Sequence, residues 1–294
     1  METKTIDVGD ADIVYDVQGD LDAAADRPLL MIGQPMDASG FRALASYFPE
    51  RVVVTYDPRG IGRTTRRDGT DTAVPAVQAE DVHAVIQALG HGPVDLFASS
   101  GGAVTALALV TAHPDDVVTL IAHEPPLTGV LPDAESAERA LQSVRDAYNQ
   151  RGFGAGMAAF IGMTSWRGEF SDEYFATPTP DPAMFGMPTG DDGSRDDPLL
   201  SERSRAVTEY RVDAAALGAA PTRIVVGVGD ESDDIFTGRT ATAVAELLGT
   251  GPTVFPGGHG GFAAEDASWP GQAENFGRRL RDVLAEGQVA PNRA

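Results

Sequence analysis

The chain has no cysteine and a single lysine, Lys4, among its 294 residues. Without thiols it can form no disulfide framework, no thiolate metal site and no cysteine nucleophile. No apolar run approaches the roughly 20 residues that a membrane-spanning helix requires. The opening METKTIDVGD lacks the basic region and apolar stretch of a signal peptide. A soluble, cytoplasmic protein is expected. Positive charge is also scarce: 22 basic residues face 44 carboxylates, for a net charge of −22. Such a surface repels phosphate backbones and anionic membranes, so neither nucleic acid nor membrane is an expected partner. The acidity itself reads as solubility.

What the chain does have is many short apolar runs, 42% apolar residues in all, enough for a substantial core. Thr3–Val8 and Ala11–Val17 alternate about Gly9-Asp10, the pattern of a hairpin. Leu29–Ile32 and Val52–Tyr56 read as strands buried on both faces. Between them Ser39 is placed to cap a short helix over Phe41–Phe48. Pro75–Leu89 has helical spacing, with apolar residues at 77, 82, 85, 86 and 89, and stops at Gly90. Strands follow at Val94–Ala98 and Val117–Ala122. After a proline-rich, irregular stretch, alternation resumes with strand Arg223–Val228, helix Gly238–Leu248, strand Thr253–Phe255 and a helix from about Pro270 to Leu284. The expected architecture is α/β: a mostly parallel sheet covered by helices on both faces, with residues 1–124 and 221–294 as the core domain and 125–220 as an inserted helical cap.

The stretch around which this plan turns is VDLFASSGGAVTALALVTAH, residues 94–113. A strand runs through four small residues directly into a helix, the arrangement that holds a nucleophilic serine on a strained turn. Backbones approach closely there, so the residues two before and two after the serine must be small. Ser100 meets the condition with Ala98 and Gly102, whereas Ser99 would place Phe97 at the first position.

A serine hydroxyl needs a base. Of the five histidines, His83 lies in an amphipathic helix as a surface or packing residue, His91 follows a helix stop, and His113 suits a helix C-terminus. His123 ends a strand. His259, in the glycine-rich loop Pro256–Phe262 after the last strand, is the best base, because loops at the carboxyl ends of parallel strands converge on one crevice. Two carboxylates can orient it. Asp230 follows strand Arg223–Val228, at the start of an acidic run. Glu124 ends the strand after the elbow, where a buried carboxylate needs a partner such as an imidazolium, or else an arginine such as Arg59. Glu124 is the favoured acid and Asp230 the alternative. The backbone N–H groups of Gly101 and Gln34 are the candidate oxyanion donors, Pro35 having none.

Ile32-Gly33-Gln34-Pro35, the loop Tyr56–Arg63, the Ser100 elbow and Pro256–Phe262 together resemble the α/β-hydrolase superfamily over nearly the whole chain. The resemblance implies a Ser–His–acid hydrolase with no cofactor and no metal, and a cap over its pocket. Ala98-Ser99-Ser100-Gly101 with His123-Glu124-Pro125-Pro126 is similar to the zearalenone-type lactonases. There the glutamate ending the next strand is the triad acid, which implies that role for Glu124. The sequence departs from that group in keeping Asp230 and in its proline-rich cap.

Met157, Phe160, Met163, Trp166, Tyr174, Phe175, Met184, Phe185 and Met187 could line an adaptable apolar pocket or form the cap's own core. The expected partner is a small hydrophobic ester or lactone, with a homodimer left open. A thioesterase, a C–C bond hydrolase or a non-catalytic ligand-binding protein would share the pattern. An epoxide or haloalkane hydrolase would need an aspartate where Ser100 stands.

Overall fold

The computed structural model describes residues 1–267 and 270–286. Strands β1 (Glu2–Asp7) and β2 (Ala11–Gln18) form the expected hairpin, pairing antiparallel from Glu2↔Val17 to Asp7↔Asp12. The remaining strands are β3 (Leu29–Gln34), β4 (Val53–Tyr56), the two-residue β5 (Thr65–Arg66), β6 (Val94–Ser100), β7 (Val117–His123), β8 (Arg223–Gly229) and β9 (Thr253–Phe255). They lie in the order β1-β2-β4-β3-β6-β7-β8-β9, with β5 on β2. From β4 onward along this order every pairing is parallel. Their side chains are almost all buried from β3 to β7, as expected of a sheet covered on both faces.

The helices are α1 (Arg42–Ala45), α2 (Pro75–Leu89), α3 (Gly101–Ala112), α4 (Ala134–Arg151), α5 (Phe153–Thr164), α6 (Asp172–Ala176), α7 (Arg205–Thr208), α8 (Ala214–Ala219), α9 (Phe236–Leu247) and α10 (Ala273–Glu286). None among the described residues is long and apolar enough to cross a membrane. The expected helix over Phe41–Phe48 is instead a 3₁₀ turn, Ala38–Phe41, running into α1, and its cap is not Ser39. Asp37 accepts from Ser39 N at 2.8 Å and from the Ser39 hydroxyl at 2.6 Å. An ionised carboxylate is the stronger acceptor for a free N–H.

α3 is buried from Gly101 to Val110, and apolar residues all round such a helix mark it as interior. Its neighbour α2 buries Gln78 and Asp81 along with Val82, Val85, Ile86 and Leu89, while Val77 stays exposed. The two polar residues have partners. Gln78 accepts from the Thr105 hydroxyl at 2.9 Å, and Asp81 receives Arg59 through two hydrogen bonds of 2.5 and 2.9 Å.

Between β7 and β8 the described chain adds helices and 3₁₀ turns, and an isolated bridge, Arg167↔Ile235, ties this segment to the residue before α9. Tyr148, Met163, Phe170 and Leu200 of this segment form a cluster with Phe236 of α9, and Met157, Phe160, Trp166, Tyr174 and Phe175 pack against it. Most of the aromatic and methionine residues of this segment therefore pack on one another, and Met184, 76% exposed, stands outside.

The Arg59–Asp81 pair carries a stability prediction. Arg59 is 5% exposed and Asp81 1%, so removing the guanidinium strands a buried charge, at a cost of about 3–5 kcal/mol. Arg59→Leu should lower the unfolding free energy measured by urea titration at pH 7 by that amount, and Arg59→Leu/Asp81→Leu should regain most of it.

Candidate active site

Parallel strands bring their carboxyl ends to one edge of the sheet, and the candidate residues sit there. Gln34 is level with Ser100, Ser99 with His123, and His123 with Gly227. Ser100 closes β6 at φ 57°, ψ −130°. An L residue holds such a conformation only where its surroundings impose it, at about 1–3 kcal/mol.

The small residues explain how that turn fits. A Cβ on Gly102 would lie 2.7 Å from Gly33 Cα and from Ile32 O. One on Gly101 would lie 3.0 Å from Gln34 Cβ, from Gln34 O and from Val207 Cγ1. The elbow is thus pressed against the Gly33-Gln34 segment on one side and touched by a methyl of α7 on the other. Gly101 begins α3, whose first N–H groups have no partner within the helix. Gln34 is 7% exposed, and its side-chain oxygen is buried with no hydrogen-bond partner among the described residues.

Glu124 lies one residue past β7 with φ 48° and no solvent exposure. Its carboxylate is held at both oxygens: Gly229 N donates to Oε1 at 2.8 Å, and His259 Nδ1 lies 2.7 Å from Oε2. Burial pushes its pKa up, but the hydrogen bond from His259 and the nearby imidazoles outweigh burial and hold it well below the usual carboxylate range. The Ser232 hydroxyl, also buried, has no partner of good geometry among the described residues. His259 itself is 39% exposed at the side chain, open enough to meet a ligand.

Asp230, the other acid considered, is directed elsewhere. Its Oδ1 accepts from Gly257 N at 2.8 Å, and its own N–H donates to Phe255 O at 2.9 Å. It ties the loop after β8 to the loop that carries His259. Arg59, the alternative partner for Glu124, binds Asp81 and Asp10 instead.

Two neighbours escaped the sequence reading. Val207 reaches the elbow from α7, nearly the whole length of the segment away from β7, and no spacing rule could have paired it with Gly101. Ser232 sits in an acidic run that reads as a solvated loop, yet its exposure is 0%.

His123 is the base candidate that the structure buries completely. Its ring lies 5.3 Å from that of Phe276, 5.9 Å from Phe255 and 6.3 Å from His259. Its Nδ1 is 3.5 Å from the Ser99 hydroxyl, and Nε2 has no partner among the described residues. Burial lowers its pKa from 6.5 to about 4, with the Glu124 charge opposing and His259 reinforcing the shift. The folded protein therefore keeps His123 neutral at a pH where the unfolded chain protonates it. Between pH 6.5 and about 4 the unfolded state binds more protons, so stability falls as pH falls. Going from pH 7 to pH 5 should cost about 2 kcal/mol from this group. The depressed pKa of Glu124 acts separately, its contribution being lost as the pH falls below the ordinary carboxylate value of 4.5. Urea unfolding at pH 7 and pH 5 checks this: His123→Gln should show a clearly smaller loss between the two than the parent.

Comparison with known proteins gives the family and the fold. The chain aligns at 28% identity over 287 residues, 95% of each chain, with the uncharacterized hydrolase YraK of Bacillus subtilis (strain 168). Among solved structures, a thermophilic esterase from Thermogutta terrifontis superposes with a TM-score of 0.64 at 18% identity, covering 98% of this chain and all of that one. Est816, an N-acyl homoserine lactone degrading enzyme, gives 0.59 at 20% identity, covering 97% and 100%. The profile of the alpha/beta hydrolase family matches residues 29–269, which span the elbow, Glu124 and His259. The chain belongs to the alpha/beta hydrolase family.

Proposed function

We propose that the protein is a serine hydrolase cleaving a carboxylic ester or lactone of a bulky, neutral, apolar substrate through an acyl-enzyme. One observation carries this reading: the fully buried Glu124 meets His259 Nδ1 at 2.7 Å, at the sheet edge where Ser100 is held in a positive-φ turn. Glu124 rather than Asp230 is then the acid that fixes the imidazole tautomer, leaving Nε2 to take the Ser100 proton. The Ser100 oxygen attacks the carbonyl, and the N–H groups of Gly101 and Gln34 receive the developing oxyanion. His259 returns the proton to the leaving alkoxide. Water, deprotonated by His259, then attacks the acyl-Ser100 carbonyl and releases the acid. With a lactone the alcohol stays tethered and the product is a hydroxy acid. The Val207 methyl beside the elbow supports an apolar acyl or alcohol group. The esterase and the lactone-degrading enzyme of the same fold are compatible with this substrate class.

One observation favours a second reading, in which the ester also bears an anionic group. Arg145 of α4 is 5% exposed and makes no ion pair among the described residues. Burial lowers its pKa, and the charges acting on it are chiefly those of Glu202, Arg205 and Glu209, in the segment that carries Val207. Neither carboxylate pairs with it directly, and a substrate carboxylate reaching α4 would form that pair.

A fluorophosphonate probe should label the protein at Ser100, with labelling abolished in Ser100→Ala; a folded protein that resists the probe would point to a binding protein. Glu124→Gln should lower kcat by about 10³–10⁴, while Asp230→Asn should cost far less; the reverse ranking would move the acid to Asp230. A panel of p-nitrophenyl esters, macrolactones and acyl thioesters, each with and without a terminal carboxylate, separates the substrate classes. If Arg145 recognises an anion, Arg145→Met should raise KM for the carboxylate-bearing esters alone.

A further inference from the structure

His83 and His113 are absorbed neither by the hydrolytic site nor by the core, yet the fold brings them face to face. Their rings stack with centroids 3.7 Å apart and planes 9° from parallel. His83 Nδ1 lies 2.6 Å from Asp116 Oδ2, and each of the three residues offers a ligand atom within 4.8 Å of the others. The sequence arranges this in two pieces. Glu80, His83 and Gln87 share one face of α2 at helical spacing, and His113-Pro114-Asp115-Asp116 forms the short link from α3 to β7.

We propose that His83, His113 and Asp116 form a binding site for a divalent transition-metal ion of the zinc class, which staples α2 to the α3–β7 link. Two imidazoles and a carboxylate are the donors such ions prefer. The flanking groups are those that hold metal ligands in position. Gln87 Nε2 donates to Asp116 Oδ1 at 3.1 Å, leaving Oδ2 for an ion, and Glu80 lies 2.9 Å from His113 Nε2, leaving Nδ1. The ligand side chains are 30%, 26% and 10% exposed for His83, His113 and Asp116, so the cluster is open on one side. Water can complete a tetrahedron there.

Ligand atoms around zinc stand about 3.4 Å apart, so binding draws the set inward and turns the two rings out of their stack. The site is remote from hydrolysis. Asp116 precedes β7 and Glu124 follows it, and eight residue steps at about 3.3 Å each separate them by about 26 Å. The ion therefore acts on stability, in a chain that has no thiol to crosslink.

Calorimetric titration of the metal-free full-length chain with Zn²⁺ tests this. One ion per chain is expected, with a rise in Tm of about 5 °C at zinc well above Kd, and Co²⁺ should give the visible absorption of a tetrahedral site. His83→Gln and His113→Gln should each abolish these signals, and Gln87→Ala should weaken binding about tenfold. Hydrolysis of a p-nitrophenyl ester should stay within about twofold of the parent in all three, since none touches the hydrolytic site. Circular dichroism checks folding, and because both histidines are partly exposed a fold defect in one variant leaves the other to decide. Absence of Zn²⁺ binding by the parent overturns the proposal, as does binding that survives both histidine substitutions or is lost only in His259→Asn.

Discussion

A carboxylate with no solvent exposure has to be held by partners, and Glu124 has one at each oxygen. Gly229 N and His259 Nδ1 join the end of β7 to the end of β8 and to the loop after β9. Since Glu124 N also donates to Gly227 O at 3.0 Å, backbone and side chain both cross the gap between neighbouring strands. Burying an ion this thoroughly is unfavourable unless its hydrogen bonds are well formed. That requirement fixes the imidazole in place more firmly than the glycine-rich loop around it could. The position of His259 is thus a consequence of where Glu124 is buried.

The elbow depends on the same strands from the other side. Ser100 adopts its positive φ because α3 must begin at once after β6, and α3 can lie so close only where Gly102 leaves Gly33 and Ile32 room. Two strained residues, Ser100 and Glu124, therefore end adjacent strands, β6 and β7. The surrounding core supplies the rigidity that keeps them there: α3 is interior on every side, and Phe97, Phe262 and Phe276 pack around His123.

Much of this was legible in the chain itself, for identifiable reasons. Pro75–Leu89 matches its expected bounds because Pro75 and Gly90 punctuate it, and the buried strands announced themselves as unbroken apolar runs. Ser100 could be told from Ser99 because Phe97 cannot fit where Ala98 does. Other features depend on contacts that no local pattern encodes. The two-residue strand β5 exists only through its pairing with β2. Asp37 displaced Ser39 as a cap because one carboxylate can serve both the Ser39 N–H and its hydroxyl. Asp81 lies on an apolar helix face because Arg59, 22 residues earlier, reaches it. His83 and His113 each had a plausible local role, and their stacking follows only from the packing of α2 on α3.

The two acids divide their duties in a way that bears on how this fold can change. Asp230 caps Gly257 and so latches one loop to its neighbour, while the imidazole partner is rooted in the interior strand β7. The imidazole contact and the loop latch are therefore made by different carboxylates. The side chains of Glu231, Asp233 and Asp234, exposed in the turn after β8, can change in a lineage built this way without touching Glu124 or His259, so long as Gly229 and Asp230 keep their bonds.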